Sequence, residues 1–123
     1  MNKRETWVKG ETAAREYLRN KGYLILKENY AGRMGEIDLI AKDGETIVFV
    51  EVKARENTEF GEPIEAVTPQ KVRRIVLTAE QYLVTNRLMG ADVRFDVVEV
   101  LRGEVRHTAN AFSLADAAKY RKY

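Results

Sequence analysis

The feature that most constrains this chain is the segment GEIDLIAKDGETIVFVEVKAR, residues 35–55, in which an apolar strand ends abruptly in charged residues. The run Val48–Val50 is apolar throughout, which indicates a strand buried on both faces in the interior of a sheet. Glu51 and Lys53 follow directly, and charged groups beside a buried strand are costly unless they are used. The chain must therefore fold around a central strand whose end carries ionisable groups.

A hairpin turn divides this segment into two strands. The Asp-Gly pair at 43–44 is a strong signal for a two-residue type I′ loop, because both central residues of that turn need positive φ. With this loop, Asp38 is expected to face Phe49, and Glu36 is expected to face Glu51. Alternate side chains of a strand share one face, so the acids of both strands fall on the same side of the hairpin.

On that face Asp38 and Glu51 become diagonal neighbours, about 7 to 8 Å apart at Cα, close enough for both carboxylates to reach one cation. Two bare carboxylates at Glu36 and Glu51 would repel each other, and a bound divalent cation would remove that repulsion. Mg²⁺ prefers a few carboxylate oxygens and retained waters. Lys53, on the same face, would stand beside the metal, where it could orient a water or neutralise charge on a phosphate.

The composition limits the kinds of site that this face could form. The chain has no cysteine and one histidine, His107, which excludes a disulfide scaffold, a thiolate zinc site, a cysteine nucleophile and a histidine-rich metal centre. Any metal must therefore be bound through oxygen. A simpler interpretation stays open: Glu51 and Lys53 could only mark where a core strand leaves the sheet, with the acids of the preceding strand solvated.

Length and charge distribution indicate a single cytoplasmic domain. The 123 residues suffice for one domain, 1–123, with its own core. The net charge is +2, but the central part, 35–68, is acidic and both flanks are basic, which suits a cation site facing a polyanion. The N-terminus has no signal-peptide core and no apolar run is long enough to span a membrane, so we expect a cytoplasmic protein without a membrane partner.

The remaining segments predict an α/β domain with a mixed sheet. A helix is expected over about 5–20, where apolar residues recur at helical spacing, and YLILKENY predicts a strand after it. Beyond the hairpin, Pro69 can open a second helix. The segment DVRFDVVEVLRGEVRH predicts a strand, a turn at 102–103 and a short strand, and a short helical tail ends the chain. The predicted order is α-β-β-β-α-β-β.

The ordered motifs resemble two related groups of proteins. Asp38 followed by Glu51-x-Lys53 resembles the D-(E/Q)-x-K core of the restriction-endonuclease-like nuclease superfamily. More closely, the chain resembles the YraN-like family of small, functionally uncharacterised bacterial proteins, and this likeness covers most of its length. The motifs that carry it are Gly10-Glu11, Asn29-Tyr30, GEIDLIA, VFVEVKAR and RFDVV.

The superfamily resemblance implies a restriction-endonuclease-like core sheet flanked by helices, with Mg²⁺ or Mn²⁺ held by Asp38 and Glu51 and with Lys53 as the catalytic lysine. It also suggests kinship with archaeal Holliday-junction resolvases, in which the first helix supplies a further acid. In this chain that acid would be Glu11 or Glu16. Glu11 is favoured, because Glu16 adjoins an apolar pair and could only solvate the helix.

Four basic residues are candidates for phosphate contacts. Arg33 and Arg55 are close in sequence to the acids of the hairpin. Lys71 and Arg74 begin the second helix, where a charged cluster is also the usual solvated face. Asp96, in RFDVV, is expected to be a structural polar group that bonds to backbone.

These residues predict a Mg²⁺- or Mn²⁺-dependent DNA endonuclease that hydrolyses phosphodiester bonds, with Glu36 and Glu11 as auxiliary acids. The likeness to resolvases suggests branched DNA as a substrate, and the sequence leaves open whether the protein forms a homodimer. Two alternatives also stay open. One is a nucleic-acid-binding module without cleavage, which metal-stimulated turnover would exclude. The other is a structural or interaction protein, which would bind neither metal nor DNA.

Overall fold

The computed structural model describes residues 2–55 and 68–113 of the chain. They form helices and strands in the predicted order, α-β-β-β-α-β-β. The elements are α1 (Lys3–Asn20), β1 (Leu24–Ala31), β2 (Glu36–Asp43), β3 (Thr46–Arg55), α2 (Pro69–Thr85), β4 (Val93–Leu101) and β5 (Glu104–Phe112).

The strands form one five-stranded sheet with the spatial order β1-β2-β3-β4-β5. β3 and β4 are parallel, whereas the other neighbouring pairs are antiparallel. Parallel neighbours need a crossover connection, and α2 lies between β3 and β4 in the chain. The predicted α/β class, with a mixed sheet flanked by helices, is confirmed.

The two helices cover opposite faces of the sheet. Phe49 packs in the cluster beneath α2, whereas Val48 and Val50 pack in the cluster beneath α1 together with Ala14 and Leu18. Burial on both faces makes β3 an interior strand, as its apolar run predicted. The apolar stripe of α2 consists of Val72, Ile75, Val76, Ala79, Tyr82 and Leu83.

α1 crosses β3 at close range where Gly10 meets Ala54. A Cβ atom at position 10 would lie 2.6 Å from the Ala54 Cβ atom, which is closer than side chains can approach. Glycine is needed at this position because of the contact, since its backbone is ordinary helix. The close approach lays the first turns of α1 against the end of β3, beside Lys53.

Both helices begin at capping residues. α1 begins earlier than predicted, because the Asn2 side chain accepts a hydrogen bond from the Glu5 N–H at 2.8 Å and so caps the first turn. α2 begins at Pro69, as predicted, and Thr68 caps it by accepting a hydrogen bond from the Lys71 N–H at 3.2 Å. The cap at Thr68 fixes the first turn of α2, which supplies side chains to the candidate site.

The loop of the β2–β3 hairpin lies one residue later than predicted. Its two residues are Gly44 and Glu45, and Asp43 pairs with Thr46. Of the two loop residues, only Gly44 has a positive φ, 60°. That is the pattern of a type II′ turn, in which glycine stands first.

This loop changes which residues of the two strands are paired. Phe49 pairs with Ile40, so the predicted pairing of Phe49 with Asp38 is wrong. Pairing ends at Leu39 and Val50, so the predicted pairing of Glu36 with Glu51 is absent as well. Alternation is interrupted near Asp38, because Ile37 and Ile40 pack beneath α2 whereas Leu39 packs beneath α1. The acids nevertheless line one pocket.

The β4–β5 hairpin turns at Arg102 and Gly103, as predicted. Both residues have positive φ, 51° and 84°, the pattern of a type I′ turn. β5 contains 9 residues and is longer than the short strand expected. The predicted helical tail falls outside the described residues. Within the described chain, neither helix combines the length and the apolar character that crossing a membrane requires.

Candidate active site

The acidic residues of the β2–β3 hairpin line a pocket of about 410 Å³, to which both helices also contribute side chains. We call this candidate site the active-site pocket; it lies where β2 begins and β3 ends and where the first turns of α1 and α2 approach the sheet. α1 contributes Trp7, the two strands contribute Glu36, Asp38, Glu51 and Lys53, and α2 contributes Lys71 and Arg74.

Asp38 and Glu51 lie at the point where β2 and β3 stop pairing. Backbone pairing runs from the hairpin loop as far as Leu39 and Val50. Beyond that pair, Asp38 Oδ2 accepts a hydrogen bond from the Val52 N–H at 2.7 Å. Asp38 and Glu51 line the same pocket, and the charge of Glu51 raises the pKa of Asp38. The two acids are thus within electrostatic reach of each other.

Burial strongly changes the ionisation of Asp38, which is only 8% exposed. Desolvation, followed by the negative charge of Glu51, raises the pKa of Asp38 from 3.8 to about 8. The hydrogen bond from Val52 and the positive charge of Lys71 oppose this rise. The folded protein therefore favours the protonated form of Asp38, and a bound cation would compete with that proton.

Glu51 is balanced by a cation from α2. Burial raises the pKa of Glu51, and the Lys71 ammonium, 3.2 Å from Glu51 Oε1, opposes that rise. The Glu51 side chain is 11% exposed, whereas that of Lys71 is 49% exposed. Lys71 can therefore move into solvent without disturbing the core, and Glu51 cannot.

Lys53 and Glu36 occupy the outer part of the pocket. Both are exposed, and both line it. Lys53 follows Glu51 by two positions in β3, so the two side chains project from the same face, as alternation predicts. The charge of Glu36 raises the pKa of Glu51, which places it within electrostatic reach of the carboxyl pair.

The two helical acids have different surroundings. Glu11 is 9% exposed and accepts a hydrogen bond from Asn29 Nδ2 at 2.9 Å. Its charge also raises the pKa of Asp38. Glu16 is exposed and forms an ion pair with Arg19 at 3.1 Å. The fold therefore buries Glu11 within electrostatic reach of Asp38, outside the described lining of the pocket, and leaves Glu16 in solvent.

The four basic candidates are not brought together. Lys71 and Arg74 line the active-site pocket. Arg33 is exposed, and it is absent from the described lining of that pocket. Arg55 is held by another carboxylate, with its Nε 2.5 Å from Glu99 Oε2.

The described residues supply part of a metal-ligand shell. Between residues 2 and 55 and between 68 and 113, no three or more His, Cys, Asp or Glu side chains are grouped so that they could hold a metal ion. Mg²⁺ is nevertheless often bound through one or two carboxylates, waters and substrate phosphates. The two buried carboxyl groups of Asp38 and Glu51 fit that donor set, as they fit Mn²⁺, and Glu11 and Glu36 act on them only through their charge.

Sequence reasoning missed two features of the pocket. It assigned Lys71 to phosphate contacts or to a solvated helix face, whereas the ammonium pairs directly with Glu51. The helical spacing of Trp7 predicted a core residue, and Trp7 does pack against the core cluster beneath α1, but it also lines the pocket. Trp7 precedes Gly10 by one helical turn, so the same face of α1 that approaches β3 also carries the indole. That spacing is the one signal in the sequence that could have placed Trp7 here.

Asp96 belongs to a separate polar cluster under α1. It is completely buried and bonds to His107 Nε2 at 2.7 Å, to Arg94 Nε at 2.9 Å and to the Asn110 N–H at 3.0 Å. Burial would raise the pKa of Asp96, but the hydrogen bonds from His107 and Arg94 hold it below its ordinary value. A carboxylate with this many donors is a structural group, as expected from its position in the sequence.

The motifs of this chain match a known family. A model described as "Uncharacterised protein family UPF0102" matches residues 10–100. The chain belongs to this family. The predicted resemblance to the YraN-like family is thereby confirmed, and the matched range contains all the candidate acids and Lys53.

Relatives in the UPF0102 family are similar along most of their length. The chain is 46% identical over 112 residues to a UPF0102 protein of Persephonella marina, covering 89% of this chain and 97% of the relative. It is 50% identical over 113 residues to one from Lachnoclostridium phytofermentans, covering 91% and 96%. A UPF0102 protein of Clostridioides difficile is 45% identical over 114 residues, covering 91% and 100%.

Proposed function

We propose that this UPF0102 protein is a Mg²⁺- or Mn²⁺-dependent nuclease that hydrolyses phosphodiester bonds in DNA, with branched DNA as a substrate class to be tested. The observation that carries the proposal is the burial of Asp38 and Glu51 in one pocket. Two carboxyl groups that are buried near each other repel when both are ionised. A divalent cation bound between them would remove this repulsion, and it would also explain why the fold buries two acids side by side.

The metal, when bound, would supply a Lewis acid that lowers the pKa of a water and stabilises charge on the phosphate. Asp38 and Glu51 would hold it. The Val52 N–H fixes the orientation of Asp38, because it occupies Oδ2 at 2.7 Å.

The cations around the carboxyl pair suit a phosphate substrate. Lys53 is exposed at the pocket, where its ammonium can orient a water or neutralise charge that develops on phosphate oxygens. Lys71 and Arg74 project from α2 into the same pocket and can bind non-bridging oxygens. Glu11 and Glu36 would act as auxiliary acids that increase the negative potential felt by the metal.

A second candidate is a nucleic-acid-binding module that performs no cleavage. The ion pair between Lys71 and Glu51 favours it, because an ammonium 3.2 Å from a carboxylate oxygen already supplies part of the charge that a metal would bring. A protein stabilised in this way needs no cation to keep its acids buried.

Cleavage assays on purified protein distinguish the two candidates. A panel of linear, nicked, flapped and four-way-junction DNAs would be incubated with Mn²⁺ or with EDTA. We compare Glu51→Gln and Lys53→Met with two matched controls at exposed positions, Glu45→Gln and Lys27→Met. If the proposal holds, each site variant lowers Mn²⁺-dependent cleavage by about 10²- to 10³-fold, while the controls cleave normally.

Binding measurements complete this test. DNA affinity should change little in Glu51→Gln and Lys53→Met. Mn²⁺ affinity by calorimetry should fall only in Glu51→Gln, because Lys53 is a neighbour of the cation and not its ligand. Cleavage that is equal in the site variants and the unmodified protein would assign the activity to a contaminant. DNA binding without any metal-dependent cleavage would establish the binding module instead.

A further inference from the structure

A second pocket of about 490 Å³ adjoins the active-site pocket. The two pockets share Ala54 as a lining residue, so they lie on either side of the contact between α1 and β3. We call this second cavity the basic pocket. Its described lining comes from α1, from the ends of β3 and β4, and from the β4–β5 turn: Thr6, Lys9, Ala54, Arg55, Val100, Arg102 and Gly103.

The charged side chains in the described lining of the basic pocket are all positive. Lys9, Arg55 and Arg102 line it, and the described lining contains no acidic residue. Thr6 adds a hydroxyl group. Three cations from three separate elements, together with a neutral donor, form the kind of surface that binds a phosphate. Lys9 and Arg102 are exposed, so an anion can reach them from solvent.

Arg55 forms the inner wall and has an unused donor. Its side chain is 11% exposed, and its Nε pairs with Glu99 Oε2. The Nη2 atom is buried and has no hydrogen-bond partner within the described part of the chain. Buried donors are normally satisfied, because an unpaired one loses its hydration without compensation. An anion in the basic pocket would supply the missing acceptor.

Glu99 holds Arg55 in place. The carboxylate is completely buried and bonds to both Arg55 and Arg106. The ion pair fixes the orientation of Arg55, so its guanidinium is pre-organised for a ligand.

Arg102 is held at the mouth of the pocket by an unusual backbone conformation. Its φ is 51°, a left-handed value that asparagine and glycine adopt more readily than arginine. The turn fixes Arg102 beside the pocket, which both Arg102 and Gly103 line.

We propose that the basic pocket is a second phosphate-binding site, which holds a phosphodiester of the same nucleic-acid strand that occupies the active-site pocket. The inference rests on the proposed nucleic-acid function, but it does not require cleavage. Lys9 and Arg102 would contact the phosphate from the solvent side, and Arg55 Nη2 and the Thr6 hydroxyl would contact it from within. Two anchored phosphates on either side of Ala54 would fix the direction of the strand.

The test uses the double variant Lys9→Gln/Arg102→Gln, which leaves the buried Arg55 untouched. Binding of a 5′-hydroxyl single-stranded oligonucleotide is measured by fluorescence anisotropy in EDTA over a series of salt concentrations. We expect the affinity at low salt to fall about 10-fold or more and the slope of log K against log salt to fall by about 0.7 to 1.4, as for one or two lost contacts. The matched control is Lys27→Gln/Arg87→Gln, which removes two exposed cations elsewhere and should retain the full affinity.

Other outcomes overturn the inference in distinguishable ways. If the double variant binds as tightly as the unmodified protein, the basic pocket is not a phosphate site, whatever the nuclease assay shows. If its defect appears only with a 5′-phosphorylated oligonucleotide, the pocket binds a terminal monoester and the diester assignment is wrong. If the unmodified protein binds no DNA, both this inference and the proposed function fail. If the variant loses binding but no protein cleaves DNA, the second site stands and only the nuclease fails.

Discussion

Replacing Asp38 with asparagine should stabilise the metal-free protein at pH 8. The amide has nearly the shape of the carboxyl group, and its oxygen can still accept the hydrogen bond from Val52. What it removes is the charge, which burial and Glu51 make unfavourable. The pKa of Asp38 is raised in the folded state, so the folded protein retains a proton that the unfolded chain releases. Its contribution to stability is therefore largest in acid and is lost as the pH rises from about 4 to about 8.

The magnitude follows from the same pKa. The pKa of Asp38 rises from 3.8 to about 8, and each pKa unit is worth about 1.4 kcal/mol. The penalty at pH 8 is therefore about 5 kcal/mol at most. Glu51 shares the proton and Lys71 adjusts as the pair ionises, so we expect about half of that. Asp38→Asn should gain roughly 2 to 3 kcal/mol at pH 8 and less than about 1 kcal/mol at pH 5.

Urea unfolding in EDTA, at pH 5 and pH 8, measures this difference. The matched control is Asp92→Asn, a change from carboxyl to amide at an exposed position outside the active-site pocket. The control should show the same small difference at both pH values. If Asp38→Asn gave an advantage that did not grow with pH, the buried carboxyl pair would not carry the penalty that its contacts imply, and the main argument for a cation at this position would be lost.

Three further predictions concern the metal, the helix contact and the buried ion pair. Mn²⁺ binding should release about one proton near pH 7, since the cation displaces the proton shared by Asp38 and Glu51. Calorimetry in two buffers of different ionisation enthalpy measures the number of protons released. Equal binding heats in the two buffers would contradict the shared proton. Gly10→Ala should destabilise the protein by about 1 to 3 kcal/mol in urea unfolding, because the added Cβ would lie 2.6 Å from the Ala54 Cβ. Adding Ala54→Gly to this variant should restore part of the lost stability. Glu99→Gln should lower the free energy of unfolding by about 3 to 5 kcal/mol in the same measurement, because it removes the carboxylate that Arg55 and Arg106 share. A loss below about 1 kcal/mol would show that solvent screens these charges.

The helix start at Pro69 and the turn of the last hairpin could be predicted from the sequence, because they depend on residues that are close together in the chain. Pro69 starts α2 and Arg102-Gly103 turns the last hairpin through their own backbone preferences. The apolar periodicity of α2 identified its buried face. The register of the first hairpin was predicted wrongly, since two loop positions were compatible with Gly44, and the choice between them depends on how the flanking strands pack as well as on the turn.

The sequence by itself determined that the acids of the hairpin lie near one another, because one short loop sets the two strands side by side. Only the tertiary structure decided what those residues touch. It ended the pairing of β2 with β3 at Leu39, so that Asp38 accepts a hydrogen bond from the Val52 N–H, and it brought Lys71 across from α2 to pair with Glu51. Contacts of this kind join residues far apart in the chain, and they depend on the angles at which helices cross a twisted sheet. No local pattern encodes those angles.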